Sequence, residues 1–176
     1  MDELFFEDSF QCPICLSEDV VPPIGRPSSK ILIVGEFPGK EEVKKGKPMV
    51  GAMGGVLRSE LGVLGFDITQ TRRTNIWQHP KNKNPDCLKH GAEEVIKEAK
   101  GKDAILLLGD ECVRHFIGKD SKVTKLGGLK LQSDYFSAPL IMCCVNPAWV
   151  FNRGSVGTLK FALKRFIEEL GVQEWQ

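Results

Sequence analysis

The sequence of residues 31–51 is ILIVGEFPGKEEVKKGKPMVG. Its first four residues are apolar, which is typical of a strand buried on both faces of a parallel sheet. The glycines that follow allow a sharp turn and a close approach of the backbone to a ligand. Because open α/β sheets bind ligands at the carboxyl ends of their strands, Glu36 lies where such folds place their chemistry.

The rest of the chain alternates strand patterns with helix patterns. We predict further strands over residues 71–77, 104–108 and 140–145, after a first strand over 30–34. Helices are predicted over 54–64, 86–100, 111–117 and 157–170, with Asp86 and Asp110 as caps, and a hairpin over 123–136. This alternation predicts an α/β fold of three layers, α/β/α, around a central, mainly parallel four-stranded sheet.

Composition places the chain among ordinary globular proteins. Its 176 residues are 41% hydrophobic and 27% charged, and the net charge is +1. There is no apolar run of transmembrane length, and the acidic N-terminus lacks a signal-peptide pattern, so we expect a cytoplasmic protein without membrane contact. The near-zero net charge means that any surface for nucleic acid must be a local basic patch.

Six cysteines need explanation, because stable disulfides are rare in the cytosol. Cys143 and Cys144 end an apolar run and are expected in the core, as is Cys112 on a helix. Cys12 and Cys15 form a C-x-x-C within an N-terminal arm, residues 1–29, that precedes a domain over residues 30–176. A thioredoxin-like role fits poorly, because this C-x-x-C comes before the first strand.

Three further segments follow in order: GEFPG and GKPMVG within residues 35–51, TNIWQHPKNKNP at 74–85, and VNPAWVF at 145–151. Together these motifs resemble the uracil-DNA glycosylase superfamily, most closely its family 4, the iron–sulfur branch. The resemblance covers nearly the whole chain. It implies a monofunctional DNA glycosylase that flips a pyrimidine out of DNA, cleaves its N-glycosidic bond and leaves an abasic site. We expect the protein to be a monomer.

The resemblance also implies roles for individual residues. Glu36 lies in the water-activating motif, with Gly35 and Phe37 beside the base, and Asn75 matches the base-reading asparagine. Met49 occupies the place of a base-stacking phenylalanine, and a methionine there is softer and more adaptable. Asn146 replaces the histidine that many members carry, so it can donate a hydrogen bond to the base but cannot become a cation.

DNA contacts are expected from two groups of residues. The loop after the last strand would enter the minor groove and fill the gap left by the flipped base, as apolar wedges do elsewhere. Basic residues close to the GEFPG–GKPMVG segment and to the VNPAWVF segment would contact phosphates. The wedge candidates are Trp149, Val150 and Phe151, and the phosphate candidates are Lys40, Lys47 and Arg153.

The iron–sulfur branch holds a [4Fe–4S] cluster with four cysteines. Here Cys12 and Cys15 match the first pair, His79 stands at the third place, and Cys87 is the nearest fourth candidate, with His90 as its alternative. A Cys₃His set suits Zn²⁺ and is also possible for an iron–sulfur cluster. The sequence leaves these two cofactors open, and the metal's role would be structural.

The sequence also leaves two hypotheses for the identity of the excised base. Gly39 leaves room beside the base C5 unless Glu41 or Glu42 folds in, so the pocket could accept a C5-modified pyrimidine. Glucosylated 5-hydroxymethylcytosine of phage DNA is one such base, and its excision would serve antiphage defence; plain uracil repair is the other hypothesis. Two other interpretations compete with a glycosylase. One is a catalytically inactive DNA-binding homologue, and the more remote one is a zinc-dependent redox or signalling protein.

Overall fold

A computed structural model describes residues 11–152 and 156–171 of the chain. Its centre is a parallel sheet of four strands in the order β2-β1-β3-β4. The strands are β1 (Ile31–Gly35), β2 (Arg72–Asn75), β3 (Ala104–Leu108) and β4 (Leu140–Cys144). Helices flank this sheet, so the predicted three-layer α/β/α fold with a parallel four-stranded sheet is confirmed.

The helices fill the crossovers between parallel strands, as right-handed βαβ units require. They are α1 (Lys40–Lys45), α2 (Ala52–Val63), α3 (Pro85–Ala99), α4 (Asp110–Phe116), α5 (Val123–Leu126), α6 (Trp149–Asn152) and α7 (Val156–Leu170), with a 3₁₀ turn at Ile68–Gln70. No helix in the described ranges is long and apolar enough to cross a bilayer.

The core lies on both faces of the sheet. Every residue of β1, β3 and β4 is buried, which explains their uninterrupted apolar sequences. Cys112, Cys143 and Cys144 are all buried, as predicted. Helix α7 turns the predicted apolar face inward, and Leu163 and Phe166 are fully enclosed.

The two predicted helix caps were wrong. Asn84, not Asp86, caps α3: its side chain accepts a hydrogen bond from the Asp86 N–H at 3.0 Å, and Pro85 occupies the first helical turn. Gly109, not Asp110, precedes α4. The Asp110 carboxylate instead accepts the N–H of Val123 at 2.8 Å and so holds the start of α5.

The predicted hairpin over residues 123–136 does not form. Val123–Leu126 is a helical turn, and the segment after it makes two backbone hydrogen bonds to the edge strand β4. The Gly128 N–H donates to the Cys143 carbonyl at 3.3 Å, and the Leu131 N–H donates to the Ile141 carbonyl at 2.8 Å. Gly127 and Gly128 end that helical turn. The alternating pattern was misread because a segment crossing over an edge strand is also half-buried.

The arm before β1 runs along the opposite edge of the sheet. Ile24 forms an antiparallel bridge to Arg73, and the Val21 N–H donates to the Gln78 carbonyl at 2.7 Å. Arg72 extends the attachment, since its guanidinium donates to the Gly25 carbonyl at 2.6 Å. The arm is therefore fixed to β2 and to the loop that follows β2.

Candidate active site and metal site

A pocket of about 370 Å³, counting space open to solvent, lies at the carboxyl ends of the strands. Parallel strands present their carboxyl ends at one edge, where ligands of open α/β sheets bind. Its lining includes six of the residues singled out in the sequence: Gly35, Glu36, Phe37, Met49, Asn75 and Asn146. Residues separated by more than a hundred positions in sequence thus face one cavity.

Glu36 follows β1 and is held by two hydrogen bonds. Its Oε1 accepts the backbone N–H of Glu111 at 3.0 Å, at the start of α4. Its Oε2 accepts from the Asn146 amide at 2.6 Å. Each carboxylate oxygen retains a second acceptor position, so Glu36 can also bind a water molecule or a hydroxyl group.

Asn146 is itself oriented by the loop after β4. Its Oδ1 accepts the N–H of Ala148 at 3.0 Å, which determines that the amide nitrogen points toward Glu36. An amide has two N–H donors, and Glu36 uses one of them. The side chain therefore positions the carboxylate and keeps a donor for a ligand in the pocket.

Cys112 lies beneath Glu36 on the inner face of α4. Burial raises the pKa of its thiol well above the ordinary value, and the negative charge of Glu36 raises it further. The thiol donates to the Gly35 carbonyl at 3.2 Å. Cys112 is thus a neutral core group that supports the turn carrying Glu36.

Asn75 ends β2 and lies opposite Gly35 in the sheet register. An ideal Cβ on Gly35 would come within 2.4 Å of the Asn75 Oδ1, so the glycine makes room for this amide. Asn75 is 6% exposed, and its amide is not among the described side-chain groups that are shut off from solvent without a hydrogen-bond partner. Because Asn75 lines the pocket, its amide can form hydrogen bonds with a ligand there.

Met49 and Glu42 also line the pocket. Met49 adopts a left-handed backbone conformation, with φ of 59°, and its side chain is buried. The Glu42 carboxylate is also buried and accepts two backbone N–H groups, from Gly39 at 3.1 Å and from Gly51 at 2.8 Å. It closes the loop between the two glycines and occupies the space that Gly39 leaves.

The sequence-based prediction left open which of Glu41 and Glu42 turns inward. A local signal favoured Glu42, because it lies three residues after Gly39, the cap of α1, where a glutamate side chain reaches back to the cap N–H.

A second, open groove adjoins the pocket through Glu36 and Phe37. Its lining includes Lys81, which pairs with Glu111 at 3.1 Å, Arg114, which pairs with Asp110 at 3.5 Å, and Lys119. These cations were not singled out in the sequence, because they come from different elements.

The three apolar wedge candidates after β4 differ in their exposure to solvent. Trp149 and Val150 are half-buried and pack against the core, whereas 62% of the Phe151 surface is exposed. Lys40 and Lys47 are exposed on either side of α1. Arg153 lies outside the described residues.

The four predicted metal ligands come together at the other side of the β2 loop. The donor atoms of Cys12, Cys15, His79 and Cys87 all lie within 4.8 Å of one another. The Sγ atoms of Cys12 and Cys87 are 4.0 Å apart, and the Cys15 Sγ lies 3.4 Å from the His79 Nε2. This donor set can hold a metal ion, and His90 is not part of it.

Neighbouring groups prepare these donors for a metal. The His79 Nδ1 lies 2.8 Å from the Pro80 carbonyl, which can only accept, so Nδ1 carries the proton and Nε2 keeps its lone pair. The backbone N–H of Ser17 lowers the pKa of the Cys15 thiol, against a smaller opposing effect of burial. The Asn82 amide lies 3.6 Å from the Cys87 Sγ.

The chain is similar to several enzymes of known name. A type-4 uracil-DNA glycosylase of Thermotoga maritima is 28% identical over 156 residues, which cover 82% of this chain and 78% of the relative. Enzymes of the same name from Sulfurisphaera tokodaii and Archaeoglobus fulgidus are 34% and 37% identical over 87 and 67 residues. Those matches cover 46% and 37% of this chain.

The matches to the two archaeal relatives span 40% and 34% of those proteins, less than half of each. The family match is longer. The model of the uracil DNA glycosylase superfamily matches residues 22–170, which include every element from β1 to α7 and all the residues of the pocket. The chain belongs to the uracil DNA glycosylase superfamily.

Proposed function

We propose that this protein is a monofunctional DNA glycosylase that excises uracil from DNA and leaves an abasic site. The observation that carries the proposal is that Glu36, Asn75 and Asn146 line one pocket at the carboxyl end of the sheet, in a chain of this superfamily. The relatives are named for the same activity. The pocket is reached by a base only after it leaves the duplex stack.

Glu36 acts on the sugar side of the scissile bond. As the N1–C1′ bond breaks, its electron pair stays on the departing base and positive charge develops on the deoxyribose. The Glu36 carboxylate stabilises this charge and orients a water whose oxygen bonds to C1′. One water proton finally resides on the released base, so that the products are free uracil and the abasic site.

Asn75 and Asn146 act on the base side. The Asn75 amide offers both a donor and an acceptor to a pyrimidine edge. Asn146 can donate its second N–H to a base carbonyl that gains negative charge as the bond breaks. Preorganised donors of this kind stabilise a developing anion without reorganising in the transition state. Gly35, Phe37 and Met49 would complete the contacts to the base.

Two residues of the pocket lining, Glu42 and Met49, bear on which base the enzyme would select. Glu42 lies beside the base pocket and fills the space next to Gly39, which favours a pyrimidine without a C5 substituent. The second candidate substrate is a C5-modified pyrimidine, such as glucosylated 5-hydroxymethylcytosine in phage DNA, with a role in antiphage defence. Met49 favours that candidate, because an unbranched thioether adapts its shape to a ligand more easily than a phenyl ring.

DNA binding would use the surface around the pocket mouth. We propose that Phe151 enters the stack at the flipped nucleotide, with Trp149 and Val150 anchoring its turn to the core. Lys40 and Lys47 would contact phosphates, as would Arg153. The metal held by Cys12, Cys15, His79 and Cys87, either Zn²⁺ or a [4Fe–4S] cluster, would fix the arm to the loop after β2 and takes no part in the bond cleavage.

A base-release assay tests the activity. Duplexes that carry one uracil, 5-hydroxymethyluracil, or glucosylated 5-hydroxymethylcytosine are incubated with the full chain, and alkali then cleaves any abasic site. We expect cleavage at uracil. Glu36→Gln should lower the single-turnover rate constant at least about 100-fold, since it removes the charge that stabilises the sugar cation.

Glu41→Gln is the matched control, because it makes the same chemical change on an exposed carboxylate that pairs only with Lys45, at 3.8 Å. Its rate should equal that of the unaltered protein. Cleavage only at the glucosylated base would replace the uracil proposal with the second candidate. If no base is released from any duplex although the DNA is bound, the protein is an inactive homologue.

A further inference from the structure

We propose that Cys12, Cys15, His79 and Cys87 hold a single four-coordinate Zn²⁺ ion, and that the site does not fit the [4Fe–4S] cluster implied by the resemblance to family 4. The proposal concerns the nuclearity of the site and does not depend on the glycosylase activity. It rests on the separations of the donor atoms, on the hydrogen bond that orients the His79 ring and on the backbone around Cys12 and Cys15.

The donor separations distinguish one metal ion from a cubane. In a tetrahedral zinc site with Zn–S near 2.3 Å and Zn–N near 2.0 Å, two sulfurs lie about 3.8 Å apart, and a sulfur and a nitrogen about 3.6 Å apart. The observed values are 4.0 Å for Cys12 to Cys87 and 3.4 Å for Cys15 to His79.

A cubane requires wider spacing, because each protein ligand binds a different iron atom. Ligand sulfurs of such a cluster are separated by roughly 6 Å. Here no pair among the four donors exceeds 4.8 Å. Four iron and four sulfide atoms therefore do not fit between these side chains, whereas one ion does.

A hydrogen bond orients the ring of His79 for ligation through Nε2. Its Nδ1–H donates to the Pro80 carbonyl, which directs the lone pair of Nε2 toward the three sulfurs. A hydrogen bond from the second ring nitrogen to a carbonyl is the usual outer contact of a zinc-bound histidine. Cys₃His is also a standard ligand set of structural zinc sites.

The backbone around the first two ligands forms a compact turn. The Leu16 N–H donates to the Cys12 carbonyl and the Cys12 N–H to the Ser17 carbonyl, both at 2.9 Å. Leu16 adopts a left-handed conformation, with φ of 60°, to complete this turn. Such strain in a non-glycine residue is retained where the surroundings require the geometry, and here it brings both sulfurs to the same side.

Cys87 adds the fourth ligand from the first turn of α3. The ion would thus join three segments: the arm, the loop after β2, and α3. Because the Trp77 N–H donates to the Glu36 carbonyl at 2.9 Å, the joined loop also supports the backbone of the residue that we place in catalysis.

The test measures metal content directly. The full chain is produced in medium supplied with both zinc and iron, purified anaerobically without chelators, and analysed for zinc, iron and acid-labile sulfide. We expect about one zinc per chain and no sulfide. After exchange with Co²⁺, absorption bands between roughly 600 and 750 nm should report a tetrahedral site with thiolate ligands.

Variants identify the ligands. His79→Ala and Cys87→Ser should each weaken zinc binding at least about 100-fold in a competition with a chromophoric chelator. His90→Ala is the matched control and should bind zinc normally. The cobalt spectrum of the unaltered chain keeps the test decisive even if a ligand variant fails to fold.

Three results would overturn the proposal. The first is about four iron and four sulfide per chain, with broad absorption near roughly 400 nm. The second is a folded chain that binds neither zinc nor cobalt. The third is loss of zinc in His90→Ala together with normal binding in His79→Ala, because the ligand set would then be different.

Discussion

The carboxylate of Glu36 occupies the space that a side chain at Gly109 would take. An ideal Cβ on Gly109 would lie 2.4 Å from the Glu36 Cδ and 2.6 Å from both carboxylate oxygens. Gly109 also has a φ of 92°, a conformation that L side chains rarely adopt. The glycine that follows β3 therefore determines where the carboxylate of Glu36, which follows β1, can lie.

This contact predicts the effect of Gly109→Ala. The new methyl group should displace the Glu36 carboxylate from its bonds to Glu111 and Asn146 and lower the single-turnover rate at least about 100-fold. The control is Gly65→Ala, because Gly65 also has a positive φ, of 77°, but nothing lies within 4 Å of an added Cβ.

Gly65→Ala should lower the free energy of unfolding by about 1–2 kcal/mol, the cost of a positive φ. Gly109→Ala should lower it further, because its φ of 92° and ψ of 166° are open almost only to glycine and the new Cβ meets Glu36. Single-turnover base release and denaturant unfolding measure the two effects separately. Equal base-release rates for Gly109→Ala and Gly65→Ala would show that the position of Glu36 does not limit the reaction.

Glu42 predicts a combined change in stability and selectivity. Glu42→Ala leaves the buried N–H groups of Gly39 and Gly51 without their acceptor, so the free energy of unfolding should fall by about 2–4 kcal/mol. It also opens the pocket wall, so excision of C5-substituted pyrimidines should rise relative to uracil. Denaturant unfolding and the base-release panel measure these effects.

The neighbouring carboxylate is the control for that variant. Glu41→Ala removes an exposed side chain and should change the free energy of unfolding by less than about 0.5 kcal/mol. A Glu42→Ala protein that is as stable as Glu41→Ala would contradict the role of Glu42 in closing the loop.

Phe151 predicts a difference between duplex and single-stranded substrates. If its ring fills the gap left by the flipped base, Phe151→Ala should lower kcat/KM on duplex DNA about tenfold or more, because a wedge stabilises the unstacked duplex. A single strand has no opposing stack to fill, so the loss there should be smaller.

Phe161→Ala is the matched control for Phe151→Ala. Phe161 is an exposed phenylalanine on α7, with 58% of its surface accessible compared with 62% for Phe151. Its removal should leave both substrates unaffected. Equal losses on duplex and single-stranded DNA for Phe151→Ala would argue against insertion into the stack.

The ion pair between Arg72 and Glu98 predicts a pH dependence of stability. The guanidinium donates two bonds to the carboxylate, at 2.7 and 2.8 Å, and connects β2 to α3. The hydrogen bonds from Arg72 lower the pKa of Glu98 below its ordinary value. A group whose pKa is lower in the folded state stabilises the fold above its unfolded pKa and loses this effect as the pH falls through the folded pKa.

Glu98→Gln should therefore be less stable than the unaltered protein at pH 7, by about 1 kcal/mol because the pair is partly exposed. The difference should shrink as the pH falls below about 4, near and under the pKa of an unperturbed glutamate. Urea unfolding between pH 3 and pH 7 measures it. Glu94→Gln, which alters an exposed pair with Lys97, should show little difference at any of these pH values.

Local sequence was sufficient to predict the strands, because burial on both faces of the sheet required uninterrupted apolar residues there. The apolar runs of β1, β3 and β4 could only be buried strands, and their alternation with amphipathic helices specified a parallel sheet. The helix bounds were less predictable, because Asn84 and Asp86 are both good caps and only packing selects between them. The segment from Val123 to Phe136 was misread because half-burial over a sheet edge imitates the alternation of a hairpin.

The sequence by itself determined the α/β layers, the glycine-bracketed Glu36 at a strand end and the Cys12–Cys15 pair, because each depends on neighbouring residues. Only the tertiary structure decided that Glu42 turns into the pocket, that Gly109 makes room for Glu36, and that His79 and Cys87 approach the cysteine pair closely enough for one ion. Those arrangements join residues from separate elements. Their distances are set by the packing of the sheet against its helices, which no local pattern records.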